Sequence, residues 1–459
     1  MTISLSHRQP LQSHPQPARL YPSYLPFSHL EFSTKHSLRR PHSSFDPSGL
    51  VDAHVHLNEP GRTEWEGFST GTKAAASGGV TTVIDMPLNA IPPTTTLNGL
   101  EEKIKAAQGQ CWVDVGFYGG IIPGNAEELL PLVEAGVRGF KGFLIESGVD
   151  EFPAVSSDDI ALVLKTLKDS STTLMFHAEM IPPITASVGD DVQISLPPLQ
   201  PSGPLTAYDT FLSSRPPSFE TYAVDQILSL AHLAPSLHLH IVHLSAIEAI
   251  PLLRAARSSG INITAETCFH YLALASEDVA EGDTRHKCCP PIRSSANRDG
   301  LWSELSHPES VIKTIVSDHS PCTPELKLLP EHLSHGCGAM RDDAKGVNGG
   351  LLKDQEAKEK EATSRSQASS SSSIDILDIV RLCAVNTAKQ VGLQHRKGAL
   401  RPGFDADICV FEDNHEWLVG REELLFRNKV SPYTGKTMKG RVKETWVRGT
   451  KVYERGSER

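Results

Sequence analysis

From residue 50 onward, short runs of β-branched and other apolar residues alternate with Ala- and Leu-rich stretches whose apolar positions recur at helical spacing. Short apolar or alternating runs predict strands, and the longer periodic stretches predict helices. The strands predicted in this way are 51–57, 81–86, 113–118, 139–144, 173–179, 239–245, 261–267 and 313–318. Helices are predicted between most of them, at 70–77, 100–107, 126–135, 158–168, 221–231, 246–258 and 296–305. Strand followed by helix, repeated, is the pattern of a parallel sheet covered by helices, and eight such units close a barrel. The expected fold class is therefore α/β, with a (β/α)8 TIM-like barrel over residues 50–325.

Both flanks break this pattern. Residues 1–49 are rich in Pro, Ser and His, hold Glu31 and Asp46 as their only acids, and show neither helical nor strand periodicity. They are expected to be disordered or atypical, and their scattered prolines would break an amphipathic targeting helix. Residues 326–373 read as a divergent, low-complexity insert that ends in the Ser-rich tract 366–373. Order is expected to resume with a barrel-closing helix in 374–397, predicted over 374–391 with Ile374, Leu377, Ile379, Val380 and Leu382 on or near one face. Residues 398–459 offer strands at 407–411 and 442–453, enough for part of a small, incomplete β-sandwich domain.

Bulk properties then narrow the function. A chain of 459 residues accommodates a barrel of about 250 residues and an accessory domain. Lys and Arg number 44 against 55 Asp and Glu, a net charge of -11 with no basic stripe, which excludes a nucleic-acid partner. The eight cysteines form no C-x-x-C pair and no regular framework, so a reducing, cytoplasmic setting is expected. Nothing approaches the roughly 20 apolar residues that span a bilayer, and no membrane partner is expected.

The chemistry is concentrated where the predicted strands end, the rim on which such barrels carry their active sites. The first strand finishes in His54-Val55-His56, two imidazoles that strand alternation points the same way. His177, His243 and Asp318 close the fifth, sixth and eighth strands. Singly, each has an ordinary structural reading as a hydrogen-bonded histidine or a helix cap. Arrival of all of them at one rim, each after an apolar run, points instead to a metal site. Lys141 sits on the fourth strand between Phe140 and Phe143. Burial there would lower its pKa and free a reactive amine, unless the side chain snorkels to solvent.

At these residues the chain resembles the cyclic amidohydrolases of the amidohydrolase superfamily, and among them the allantoinases. The resemblance covers 50–325 and 374–455, and its most specific piece is the run from Val51 to Phe68, VDAHVHLNEPGRTEWEGF. Asp85–Asn89, Glu266–Leu272, Pro290–Arg293, Ser317–Cys322 and Lys429–Tyr433 support it. The resemblance implies two divalent metal ions, zinc in the first instance: His54, His56 and Asp318 on one, His177 and His243 on the other. It implies that Lys141, carboxylated by carbon dioxide, bridges them as a carbamate, and that Asp318 carries the catalytic proton. The implied reaction opens the hydantoin ring of the small molecule allantoin to give allantoate, in purine catabolism, by a chain that assembles as a homo-oligomer. Asn58, Asn89 and His270 would hold the substrate, with readings as turn and cap residues standing beside that role. Asn58 stands where dihydroorotases have a carboxylate-gripping arginine, which favours an uncharged ring.

Two departures accompany the resemblance. Relatives open with β-structure that pairs with the tail strands, and 1–49 show none, so those strands are expected to lack partners. After Cys322 the family carries a Gly-Gly segment and an apolar helix, to which 330–373 look unrelated. A dihydropyrimidinase or a dihydroorotase would use the same scaffold. A non-catalytic dihydropyrimidinase-like protein would lose ligands, whereas all six positions are kept here.

Overall fold

The computed structural model describes residues 44–45, 48–183, 203–327 and 374–457. The expectation for most of 1–49 and that of a low-complexity insert over 328–373 lie outside the described residues.

A two-residue strand, β1 (Ser44–Phe45), precedes the barrel strands. These are β2 (Leu50–Val55), β3 (Val80–Asp85), β4 (Asp114–Phe117) with its continuation β5 (Gly119–Gly120), β6 (Phe140–Phe143), β7 (Thr173–His177), β8 (His238–Ile241), β9 (Ile263–Cys268) and β10 (Ile312–Val316). They pair in parallel in chain order, β2-β3-β4 and β5-β6-β7-β8-β9-β10. Tyr118 joins the two runs at a bend: its N–H donates to Asp85 at 3.0 Å. A parallel bridge between Val55 and His319, with His56 N–H donating to His319 O at 2.8 Å, closes the circle. The eight predicted strand positions thus form one closed barrel wall, and β4, β6 and β7 are buried along their whole length.

Helices return the chain between strands: α1 (Phe68–Ser77), α2 (Leu97–Ala107), α3 (Leu129–Ala135), α4 (Ser157–Leu167), α5 (Tyr208–Ser213), α6 (Pro217–Leu230), α7 (Ile250–Ser258), α8 (Phe269–Ala273) and α9 (Ser295–Leu305). Local chemistry sets their ends. Thr96 and Ser294 accept from backbone amides at the starts of α2 and α9, and Ser156 with Asp159 forms a capping box on α4. Gly136 ends α3 in the left-handed conformation (φ 94°), a turn that needs no Cβ and feeds the chain into β6.

The tail differs from expectation in two places. The run 442–453 is two strands, because Arg448 (φ 49°) and Gly449 (φ 77°) turn the chain between β12 (Thr437–Val447) and β13 (Thr450–Glu454). Both positive φ values suit a tight hairpin, and the glycine was its only local signal. β11 (Ile408–Leu418), β12 and β13 form an antiparallel sheet whose far edge is β1, with Ser44 opposite Glu412 and Phe45 opposite Phe411. β11 therefore has a partner, which sequence periodicity missed because two residues carry no period. The sheet is anchored to the barrel: Thr445 Oγ1 donates to Ala76 O at 2.6 Å, and the buried Lys397 ammonium lies 2.6 Å from both Asp114 on β4 and Asp407.

The closing helix also departs from expectation. It consists of α10 (Ile376–Val380), a π-helical turn (Arg381–Val385) and α11 (Asn386–Gln390). The wide turn shifts the buried face, so Leu382, Cys383 and Ala388 are buried against β2 and β10. Leu377 and Ile379, expected on the inner face, are 64% and 41% exposed among the described residues.

Candidate metal centre

Six side chains meet at the mouth of the barrel. His54 and His56 leave β2 two residues apart and reach the same atom: His54 Nε2 lies 3.2 Å and His56 Nε2 3.4 Å from Asp318 Oδ1. The amine of Lys141 on β6 stands 3.2 Å from His54 Nε2. Across the mouth, His177 Nδ1 from the end of β7 faces His243 Nε2, just past β8, at 3.1 Å. The rings of His54 and His243 are 5.4 Å apart and join the two halves. His54, His243 and Asp318 each place one ligand atom within 4.8 Å of the others.

Backbone strain marks the same place. Among the described residues only five non-glycines have positive φ, and four of them are Asn58 (62°), Asn89 (65°), His243 (39°) and Asp318 (47°). Such conformations cost free energy and persist where the surroundings enforce them, typically at functional sites.

Burial decides protonation. It lowers the His56 imidazole to about 4 and pushes those of His177 and His243 down as well, leaving neutral rings with lone pairs to offer. Burial alone would raise the Asp318 carboxyl, but the imidazoles of His54, His243 and His56 outweigh it and hold Asp318 ionised. Lys141, fully enclosed, is lowered to about 8, the direction expected from its aromatic neighbours. Its Nζ lies 5.0 Å from the centre of the Phe143 ring, and Phe143 in turn stacks on His177 at 4.6 Å.

A further layer orients the imidazoles. His54 Nδ1 donates to Glu266 Oε1 at 2.5 Å, and His177 Nε2 donates to Glu179 Oε2 at 2.7 Å. Glu266 also takes His240 Nε2 at 3.0 Å and the Gln390 amide of α11 at 3.1 Å, while Arg215 donates to Glu179 at 2.5 Å. Each carboxylate fixes one ring nitrogen and so turns the other to the centre, the arrangement that metal-ligating histidines require. Glu266, Glu179 and Arg215 went unassigned in the sequence. The available signal was an acid within a buried strand for Glu266; Glu179, past the end of β7, and Arg215, between α5 and α6, carried none.

The substrate-holding candidates divide. Asn89 and His270 line the cleft above the centre, about 650 Å³ in volume, and the Asn89 amide contacts His56 Nδ1 at 3.3 Å. Asn58 is buried and is not among the residues that line the cleft; its amide donates to Pro321 O at 3.2 Å.

The donor set fits divalent cations. Two neutral imidazole nitrogens face each other at 3.1 Å and an amine, an imidazole and a carboxylate crowd together at 3.2 Å, arrangements that a cation satisfies. The amidohydrolase family profile matches residues 48–452. The chain belongs to the amidohydrolase family. Among curated relatives of this amidohydrolase, the allantoinase of Saccharomyces cerevisiae is 48% identical over 88% of this chain and 82% of its own length. The allantoinase of Streptomyces avermitilis is 41% identical over 89% of this chain and 84% of its own length. Of solved structures, the L-hydantoinase (dihydropyrimidinase) of Arthrobacter aurescens superposes with a TM-score of 0.69 at 25% identity, over 90% of this chain and 86% of that one. Among the described residues of the amidohydrolase, no helix is long and apolar enough to cross a membrane.

Proposed function

We propose that this amidohydrolase hydrolyses the cyclic amide bond of allantoin, opening the hydantoin ring to allantoate. The observation that carries the reading is the meeting of His54, His56, Lys141, His177, His243 and Asp318 at the floor of one cleft, in a chain whose relatives are allantoinases. In this reading His54, His56 and Asp318 hold one zinc ion, and His177 and His243 a second. Lys141, with an amine lowered to about 8, would react with carbon dioxide through its neutral fraction, an N–H proton leaving to solvent as the N–C bond forms, and as a carbamate would help to hold both ions. Two such cations supply Lewis-acid chemistry, lowering the pKa of water towards neutrality and polarising a carbonyl.

The protein's own groups do the rest. Ionised Asp318 accepts the proton of the attacking water at a carboxylate oxygen and returns it to the departing ring nitrogen. Glu266 and Glu179 hold His54 and His177 in their working orientation. Asn89 and His270, on the cleft wall, orient the ring. The thiols of Cys268, Cys288, Cys289 and Cys322 beside the cleft suit a reducing compartment such as the cytoplasm.

The test compares turnover of allantoin, dihydrouracil and dihydroorotate by the zinc-loaded protein, with and without a chelator. Allantoin is expected to react fastest, with turnover abolished by chelation and restored by zinc. Faster turnover of either other ring, or turnover that survives metal removal, overturns the reading.

A further inference from the structure

Beside the centre just described lies a second group of ligand atoms with a different chemistry. Cys268 ends β9, and His270 follows two residues later in the first turn of α8. One ligand atom from each of Cys268, His270 and Asp318 lies within 4.8 Å of the others. His270 Nε2 is buried and has no hydrogen-bond partner among the described residues, and Cys268 is a free thiol. A buried imidazole nitrogen without a partner is costly, and its persistence points to a ligand.

The donor types set this group apart from the main centre, whose six side chains offer nitrogen and oxygen only. Sulfur, nitrogen and oxygen together suit soft or borderline cations, and thiolate selects them strongly. His270 and Asp318 line the cleft, so a cation from solvent meets the imidazole and the carboxylate first, with the thiol behind them.

We propose that Cys268, His270 and Asp318 form a third cation site, selective for thiophilic ions such as cadmium or excess zinc, whose occupation inhibits the enzyme. A metal–sulfur bond forms as the Cys268 S–H bond breaks, and the proton leaves to solvent. Inhibition follows because Asp318 is shared: with one carboxylate oxygen on the main centre and the other held by this cation, neither is left to carry the catalytic proton. The inhibitory half rests on the role given to Asp318 above; the binding half stands without it.

The experiment titrates cadmium into the zinc-loaded protein while recording thiolate-to-cadmium charge-transfer absorption and allantoin turnover. One additional cation per chain is expected to bind, with a band for a single thiolate, and inhibition is expected to follow the same curve. Cadmium that replaces zinc in the main centre meets no sulfur and gives no such band. In Cys268→Ser the band is expected to vanish and the inhibitory concentration to rise by about tenfold or more, with turnover at limiting zinc retained. Cys288→Ser, Cys289→Ser and Cys322→Ser should leave both readouts in place. His270→Gln, read by absorption alone, should weaken the titration. X-ray absorption of the cadmium-loaded wild type needs no variant, and one sulfur among the nearest ligands is expected. A sulfur-free shell, or a band that persists in Cys268→Ser, overturns the proposal. If no variant or wild-type sample turns over allantoin, the proposed function fails, and charge-transfer and X-ray absorption still decide the third site.

Discussion

At the mouth of the barrel, imidazoles, a lysine and carboxylates are buried; on α10, which closes the barrel, Leu377 is 64% exposed and Ile379 41%. Both regions violate the ordinary partition of polar outside and apolar inside. Their compensation differs. Most of the buried polar groups meet one another at hydrogen-bond distance, and Glu266 ties His54 through Gln390 to α11; among the described residues His243 Nδ1, Glu179 Oε1 and His270 Nε2 stand without a partner. The exposed leucine and isoleucine have no such compensation among the described residues. A violation with geometric compensation signals chemistry; one without it signals a surface.

The difference predicts which substitutions alter turnover and which alter folding. The largest effect is expected at Lys141: Lys141→Ala removes the amine between the two halves of the centre and should abolish turnover. In the metal-free protein, where the side chain is a buried free amine, the midpoint of urea unfolding should hold or rise. Substantial residual turnover would take Lys141 out of the mechanism. Asp318→Asn keeps the shape and removes the proton acceptor, so turnover is expected to fall by about 10² to 10⁴. An unchanged rate in the metal-loaded variant would assign the proton to another group.

On the closing helix the signs reverse. Leu382 is 1% exposed, and Leu382→Ala is expected to cost about 2–5 kcal/mol in urea unfolding, with turnover per folded molecule unchanged. A variant as stable as the wild type would mean that the packing of this helix against β2 and β10 contributes little.

The same contrast explains what was legible in the sequence. The strand positions, and the histidines, lysine and aspartate at their ends, followed from patterns a few residues long, because alternation along a strand fixes the direction of a side chain locally. The inner face of α10 did not follow: a π-helical turn at Arg381–Val385 interrupts the regular spacing on which that face was read. β1 stayed hidden because a two-residue strand exists only through its partner β11. Glu266 was in plain view within its strand, yet its task depends on His54, 212 positions away in sequence. Asn58 lies at the expected rim but is turned to Pro321, a rotation that the strand pattern does not encode.

Glu266 sharpens the comparison because it touches both the centre, at His54, and the closing helix, at Gln390 of α11. Burial would raise its carboxyl, but the imidazoles of His54 and His240 outweigh that and hold it far below the usual carboxylate range. Glu266→Gln keeps the shape and loses the charge that orients His54, so metal affinity is expected to drop by about 10- to 100-fold. Metal binding followed by calorimetry checks this, and a purely structural role would lower stability while leaving affinity intact.

The smallest effect is expected at Leu377. If its side chain faces water, Leu377→Ser changes little beyond local helix propensity, and unfolding should shift by no more than about 0.5 kcal/mol. The measurement is informative because Leu382, five residues along the same closing helix, is expected to be several times more sensitive. Should Leu377→Ser cost as much as Leu382→Ala, the outer face of α10 must be covered in solution. Sedimentation of the two variants would then separate a second copy of the chain from the chain's own remaining residues. A cost of the substitution that shrinks on dilution assigns the cover to a second copy, and a cost independent of concentration assigns it to the same molecule.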